Sequence, residues 1–226
     1  MLYNVVGSGD EIEYVPTGAG YALLIILFVA FLAAALCFAK ARSHSHKDSL
    51  KLTTKQLTFC ALAIALGTVL SNVKLFDAPF GGSVTLLSML FICLPGYWFG
   101  LGAGLTTGIA YGILQLIIDP YVIHPMQLVV DYILAFGALG LSGLFSGKKN
   151  GLLKGYTVAV IGRWIFASIS GWIFFAEYAW EGWHPFPYSL VYNGGYIFTE
   201  AVVTLAILAI PYVKKAFERV RKLALE

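Results

Sequence analysis

Apolar side chains in this chain come in unbroken runs about twenty residues long, and that length fixes the class of fold. Seven such stretches are readable, at roughly 20–40, 54–72, 83–99, 101–118, 125–146, 152–176 and 188–213. A helix rises about 1.5 Å per residue, so about 20 apolar residues cross a hydrocarbon core of about 30 Å. The runs lack the period-two alternation of barrel strands. Charged residues are 12% of the chain, about half the share in a soluble domain. The expected fold is an all-α integral membrane protein: a six-helix bundle preceded by one extra transmembrane helix.

Cationic residues set the orientation. Lys40, Arg42, Lys47, Lys51 and Lys55 fill the first connection, Lys148, Lys149 and Lys154 the fifth, and Lys214, Lys215, Arg219, Arg221 and Lys222 the tail. Thirteen of the 15 Lys and Arg residues thus fall on one side, which the positive-inside rule makes cytoplasmic. The N-terminus then faces out and the C-terminus in. Residues 1–50 form an extracellular start, an extra helix and a basic linker; residues 51–226 form the six-helix unit with its basic tail. The acidic flank before the first apolar run and the basic flank after it reverse the pattern of a cleavable signal. Cys37, Cys60 and Cys93 all lie in apolar runs and are expected as small buried side chains. His44 and His46 lack a nearby third ligand and read as part of a solvated loop. Gly96, Gly100, Gly104, Gly108 and Gly112 recur every four residues, a spacing that lets neighbouring helix backbones approach closely.

Three charged residues fall inside spans and away from their ends: Asp131, Arg163 and Glu200. Each costs about 2.5–3.5 kcal/mol at a helix centre and needs a reason. Helical rise puts Asp131 about 9 Å below the outer edge, and Arg163 and Glu200 at about 20 and 18 Å. The latter two are expected to form a structural ion pair. Asp131 then lacks a protein cation. At its level lie Asn193 and Gly171, and near it Tyr121, His124, Tyr132, Phe175 and Tyr188. Some of these rings belong to an interfacial aromatic belt. A carboxylate beneath them with an amide opposite suits a flat organic cation, held by charge and by cation–π contact.

The segments "GGSVTLLSM", "YGILQLIIDPYVIHPMQLVVDYILAFGALGLSGLF" and "SISGWIFFAEYAWEGWHPFPYSLVYNGGYIFTE" resemble the thiamine-binding membrane subunits of energy-coupling-factor (ECF) vitamin transporters. The likeness covers residues from about 51 to 222. It implies a substrate-capture subunit in a bacterial cell membrane that binds thiamine in an outward-facing pocket. Its partners would be a transmembrane coupling protein, two ATPase subunits and membrane lipid. No cofactor, metal or nucleic acid is implied. The pocket residues carried over are Tyr121, Asp131, Tyr132, Gly171, Phe175, Tyr188 and Asn193. Ala61 and Ala65 offer the Ala-x-x-x-Ala face associated in that family with docking to the coupling protein.

Many members have a His where Ala167 stands here, and His124 is a candidate to stand in for it. Phe80, in the external loop "FDAPFGGS", is a candidate lid aromatic. Loss of the His supports an alternative substrate, a thiamine precursor or another heterocycle. The chain has no G-x-x-x-x-G-K-[ST] loop, so ATP hydrolysis would fall to partners. It has neither G-x-S-x-G nor H-E-x-x-H, which argues against an intramembrane hydrolase, and no pair of broken helices that would suggest a self-standing transporter.

Overall fold

A computed structural model describes residues 3–6, 13–23, 25–26 and 52–226 of the 226-residue chain. The expected first span is helical at 18–23 and 25–26. The rest of it, with Cys37, His44, His46 and most of the basic linker, lies outside the described residues. Before it, β1 (Tyr3–Val6) and β2 (Glu13–Pro16) pair antiparallel.

Six helices follow: α1 (Thr54–Ser71), α2 (Ser88–Phe99), α3 (Leu101–Ile118), α4 (Pro125–Phe145), α5 (Gly151–Phe174) and α6 (Pro185–Ala209). All but α2 are long and apolar enough to cross a membrane. A seventh helix, α7 (Pro211–Leu225), continues the chain beyond the break before Pro211. Its cations were read in the sequence only as a basic tail. They alternate with Val213, Phe217 and Val220 at helical spacing, which gives an amphipathic helix.

Local chemistry explains the ends of α1. Thr53 Oγ1 accepts the Gln56 amide at 3.2 Å, and the Gln56 side chain accepts the Thr53 amide at 3.0 Å, forming a capping box. Cys60, Ala63 and Gly67 face inward, whereas Ala61 and Ala65 are exposed.

The third expected span begins late. Residues 74–85 form a hairpin, β3 (Lys74–Asp77) paired with β4 (Ser83–Thr85), and α2 starts only at Ser88. The glycine row does bring helices together. A Cβ on Gly104 would stand 2.6 Å from the Gly140 carbonyl oxygen, and one on Gly108 would stand 2.5 Å from that of Phe136. So α3 packs backbone to backbone on α4. Gly100, at φ +95°, makes the turn between α2 and α3. The main core joins α2 to α5 and α6 through buried Met89, Leu90, Ile92, Tyr156 and Ile197. Cys60 and Cys93 are buried free thiols.

The Arg163–Glu200 ion pair is not formed. The salt bridges among the described residues join Lys74 to Asp77 and to Asp119. Glu200 instead accepts from Thr85 Oγ1 at 2.6 Å, Ser88 Oγ at 3.3 Å and the Met89 amide at 3.0 Å. It therefore caps the first turn of α2. The residue before that turn, Leu87, offers no side-chain acceptor and sits at φ +60°. Equal depth along two helices was not enough to pair the charges, because the free amides of α2 compete for the carboxylate. Arg163 places its guanidinium over the Phe136 ring, 4.5 Å from the centroid.

Candidate functional site

A cavity of about 200 Å³ lies at the end of the bundle that carries the aromatic cluster. Residues from α3, α4, α5, α6 and the β3–β4 hairpin line it. Tyr121, Asp131, Tyr132, Gly171, Phe175, Tyr188 and Asn193 are all on its wall. His124 and the exposed pair Ala61 and Ala65 are not.

Asp131 is held by an irregularity in α4. The helix is α-helical over Pro125–Leu128, π-helical over Val129–Leu134, and 3-10 over Ala138–Phe145. A π-turn inserts a residue and changes which side chains face inward, and such turns cluster at functional positions. Gln127 Nε2 donates to Asp131 Oδ2 at 2.7 Å and to the Tyr121 carbonyl at 3.1 Å. No Lys or Arg nitrogen among the described residues lies within 4.0 Å of the Asp131 carboxylate. The Tyr132 hydroxyl accepts the Tyr121 amide at 2.8 Å and donates to the Asp119 carbonyl at 3.3 Å, so it holds the loop that carries Tyr121.

Two aromatic walls face the acid. On one, Tyr121 stacks on Phe175 with centroids 5.8 Å apart and planes 17° apart. On the other, Tyr188, Tyr192 and Tyr196 follow one face of α6; the first two stack at 5.8 Å and 23°. Trp180 meets Tyr188 edge-on at 5.2 Å. Asn193 is buried and mostly engaged: its Nδ2 donates to the Ser189 carbonyl and hydroxyl, and its Oδ1 accepts from Tyr196 at 2.8 Å. One lone pair of Oδ1 remains for a guest. Gly171 does more than leave space. A Cβ there would press on Ser189 and stand 3.0 Å from Asn193 Nδ2, so the glycine lets α5 and α6 meet at this level.

The hairpin closes the cavity from above. Tyr192 donates its hydroxyl hydrogen to the Pro79 carbonyl and accepts the Gly82 amide at 3.2 Å. Gly81 has φ +89°, and a Cβ on Gly82 would stand 2.8 Å from Tyr192 Oη and from the Tyr196 ring. The turn therefore requires both glycines. Phe80 lies in the Pro79–Gly81 turn, and its side chain is outside what is described. His124 lies beside the site. Its Nδ1 accepts the Met126 amide at 3.1 Å, capping α4, its Nε2 is 3.0 Å from the Tyr21 hydroxyl, and its ring stacks on Phe174.

Gln127, Tyr192, Tyr196 and Lys74 also line the cavity and were missed as site residues in the sequence; Arg163, expected in an ion pair, lines it too. Gln127 is four residues before Asp131, and Tyr188, Tyr192 and Tyr196 repeat every four. Both spacings put the residues on one helix face.

Three comparisons bear on identity. A family model described as thiamine transporter protein (Thia_YuaJ) matches residues 57–218. The "Thiamine transporter ThiT" of Bacillus subtilis (strain 168) is 34% identical over 166 residues, covering 66% of this chain and 86% of that protein. The solved structure of ThiT from Listeria monocytogenes superposes with a TM-score of 0.57 at 24% identity, covering 70% of this chain and 96% of that one. The last likeness concerns the fold alone. With helices fit to cross a membrane and a match over most of its length, the chain is a multi-pass membrane protein of the thiamine transporter family.

Proposed function

We propose that this chain is the thiamine-capture subunit of an ATP-driven ECF-type importer in a bacterial cell membrane. Thiamine is a fixed cation with two flat rings. In this reading its charge sits near Asp131, its rings lie between Tyr121–Phe175 and Tyr188–Tyr192, and Tyr132, Gly171 and Asn193 shape the remaining wall. The observation that carries the reading is the Asp131 carboxylate, which faces an aromatic cavity with Gln127 as its hydrogen-bond partner and, among the described residues, no Lys or Arg nitrogen within 4.0 Å, although Arg163 lines the same cavity. A buried charge without a partner is expensive, so a cationic guest is favoured.

The positive-inside arrangement supports an aromatic end that faces out and a basic end in the cytoplasm. The division into an N-terminal anchor, residues 1–50, and a capture unit, residues 51–226, goes with that orientation. A coupling protein would dock on the exposed Ala61–Ala65 face, and two ATPases would supply the energy.

Calorimetric titration of the purified chain with thiamine, without ATP, tests the capture role. Heat of binding is expected; its absence contradicts the role. A second reading rests on Ala167, which lines the cavity where a His is common in the resembling subunits. It predicts tighter binding of the pyrimidine or thiazole half than of thiamine, and a competition series separates the two.

A further inference from the structure

A second cavity, of about 410 Å³, lies at the basic end of the bundle, between the turn into α5 and the helix α7. Lys148, Lys149, Lys214, Arg221 and Lys222 converge on it. Glu218 is the one carboxylate on its wall, yet none of the five cations pairs with any carboxylate of the described residues within 4.0 Å. Lys214 Nζ is instead 3.0 Å from Asn150 Oδ1, and Lys148 lies over the Phe145 ring at 5.1 Å. Arg221 stacks on Tyr97, 4.9 Å from the centroid, and its buried Nε–H has no acceptor. The floor is apolar, with Leu153, Leu208 and Phe217. Five converging positive charges repel one another, and an arginine N–H without an acceptor is costly when buried.

We propose that this cavity binds the phosphodiester headgroup of an anionic membrane lipid. Arginine and clustered lysines suit phosphate oxygens by charge and by hydrogen-bond geometry. Basic pockets between membrane helices on the cytoplasmic side recognise such headgroups. In the membrane-spanning reading the amphipathic α7 follows the last span and would run along the interface, where its exposed Leu223 and Leu225 can meet acyl chains. The lipid would tie α7 to the start of α5. The proposal rests on the membrane-spanning reading and does not depend on the ligand of the first cavity.

The test is native mass spectrometry of the full chain released from detergent after exposure to phosphatidylglycerol and phosphatidylcholine with matched acyl chains. The wild type should retain phosphatidylglycerol selectively. The double variant Arg221→Gln/Lys222→Gln should lose that selectivity by on the order of tenfold, since each cation near an anionic headgroup contributes appreciably. Lys215→Gln/Arg219→Gln removes the same charge from α7 outside the cavity and should retain it. Equal retention of the two lipids by the wild type overturns the proposal without any variant. So does an equal loss in both double variants, which means diffuse attraction. Glycerol 3-phosphate or inorganic phosphate competing as strongly as the lipid overturns the lipid assignment. None of these readouts involves thiamine, so the two readings fail separately.

Discussion

Glu200, near the middle of α6, caps α2 through the backbone of Met89, whose amide lies 3.0 Å from the carboxylate. A helix of 12 residues is about 18 Å long and cannot cross a bilayer alone. It starts within the bundle, where Ser88 and Met89 are buried. Irregular backbone at that depth is tolerated where protein supplies the missing partners, and Glu200 with Thr85 and Ser88 supplies them.

Glu200→Ala should therefore destabilise strongly, by roughly 1–3 kcal/mol for each buried donor left without its acceptor. Glu200→Gln keeps a carbonyl acceptor and should cost less. Thermal unfolding in detergent checks the order. A double-mutant cycle with Arg163→Gln should give a coupling well below the roughly 3–5 kcal/mol of a broken buried ion pair; a coupling of that size would restore the pair.

Tyr192 fastens the hairpin over the cavity by two hydrogen bonds from one hydroxyl. Tyr192→Phe keeps the ring and removes both. At about 1 kcal/mol per net hydrogen bond, thiamine should dissociate roughly five- to thirtyfold faster, and the melting temperature should fall by a few degrees. Stopped-flow tryptophan fluorescence measures the rate. An unchanged rate would mean that the hairpin does not retain the ligand.

Much of the site was legible because helical rise converts sequence position into depth. That argument selected Asp131, Asn193 and Gly171, and all three line one cavity. It failed for Glu200, because a depth estimate does not register where α2 begins, and the start is set by a hairpin that the apolar run concealed. Gln127 and the Tyr188–Tyr192–Tyr196 row were readable from their four-residue spacing. The π-turn at Val129–Leu134 had no local sequence signal. The helical nature of the tail was readable from the alternation of Val213, Phe217 and Val220 with cations.

Gly171→Ala should weaken binding and stability together. The new methyl would press on Ser189 and Asn193, and overpacking of this kind costs roughly 1–3 kcal/mol. Gly195→Ala, with open space around its position, should be tolerated. Equal tolerance at both sites would contradict the close α5–α6 contact.

Burial holds the His124 pKa below its ordinary value of 6.5. The folded chain thus favours the neutral ring, whose Nδ1 accepts the Met126 amide. That stabilisation is complete above the unfolded-chain value, about 6.5, and is lost as pH falls from there toward the depressed folded value. The melting temperature should decline as pH falls below about 6.5. The decline should be shallower in His124→Asn, which keeps a capping acceptor without a proton to gain. Identical slopes would place the titrating group elsewhere.

The most direct test is calorimetric titration of thiamine into the intact chain and into the Asp131→Asn variant. The variant keeps the shape and the contact with Gln127 but removes the charge. A loss of affinity of more than tenfold, at least about 1.4 kcal/mol, with a melting temperature no lower than that of the wild type, is the result expected here. Equal affinity in the two proteins would contradict the assignment of Asp131 as the counter-charge.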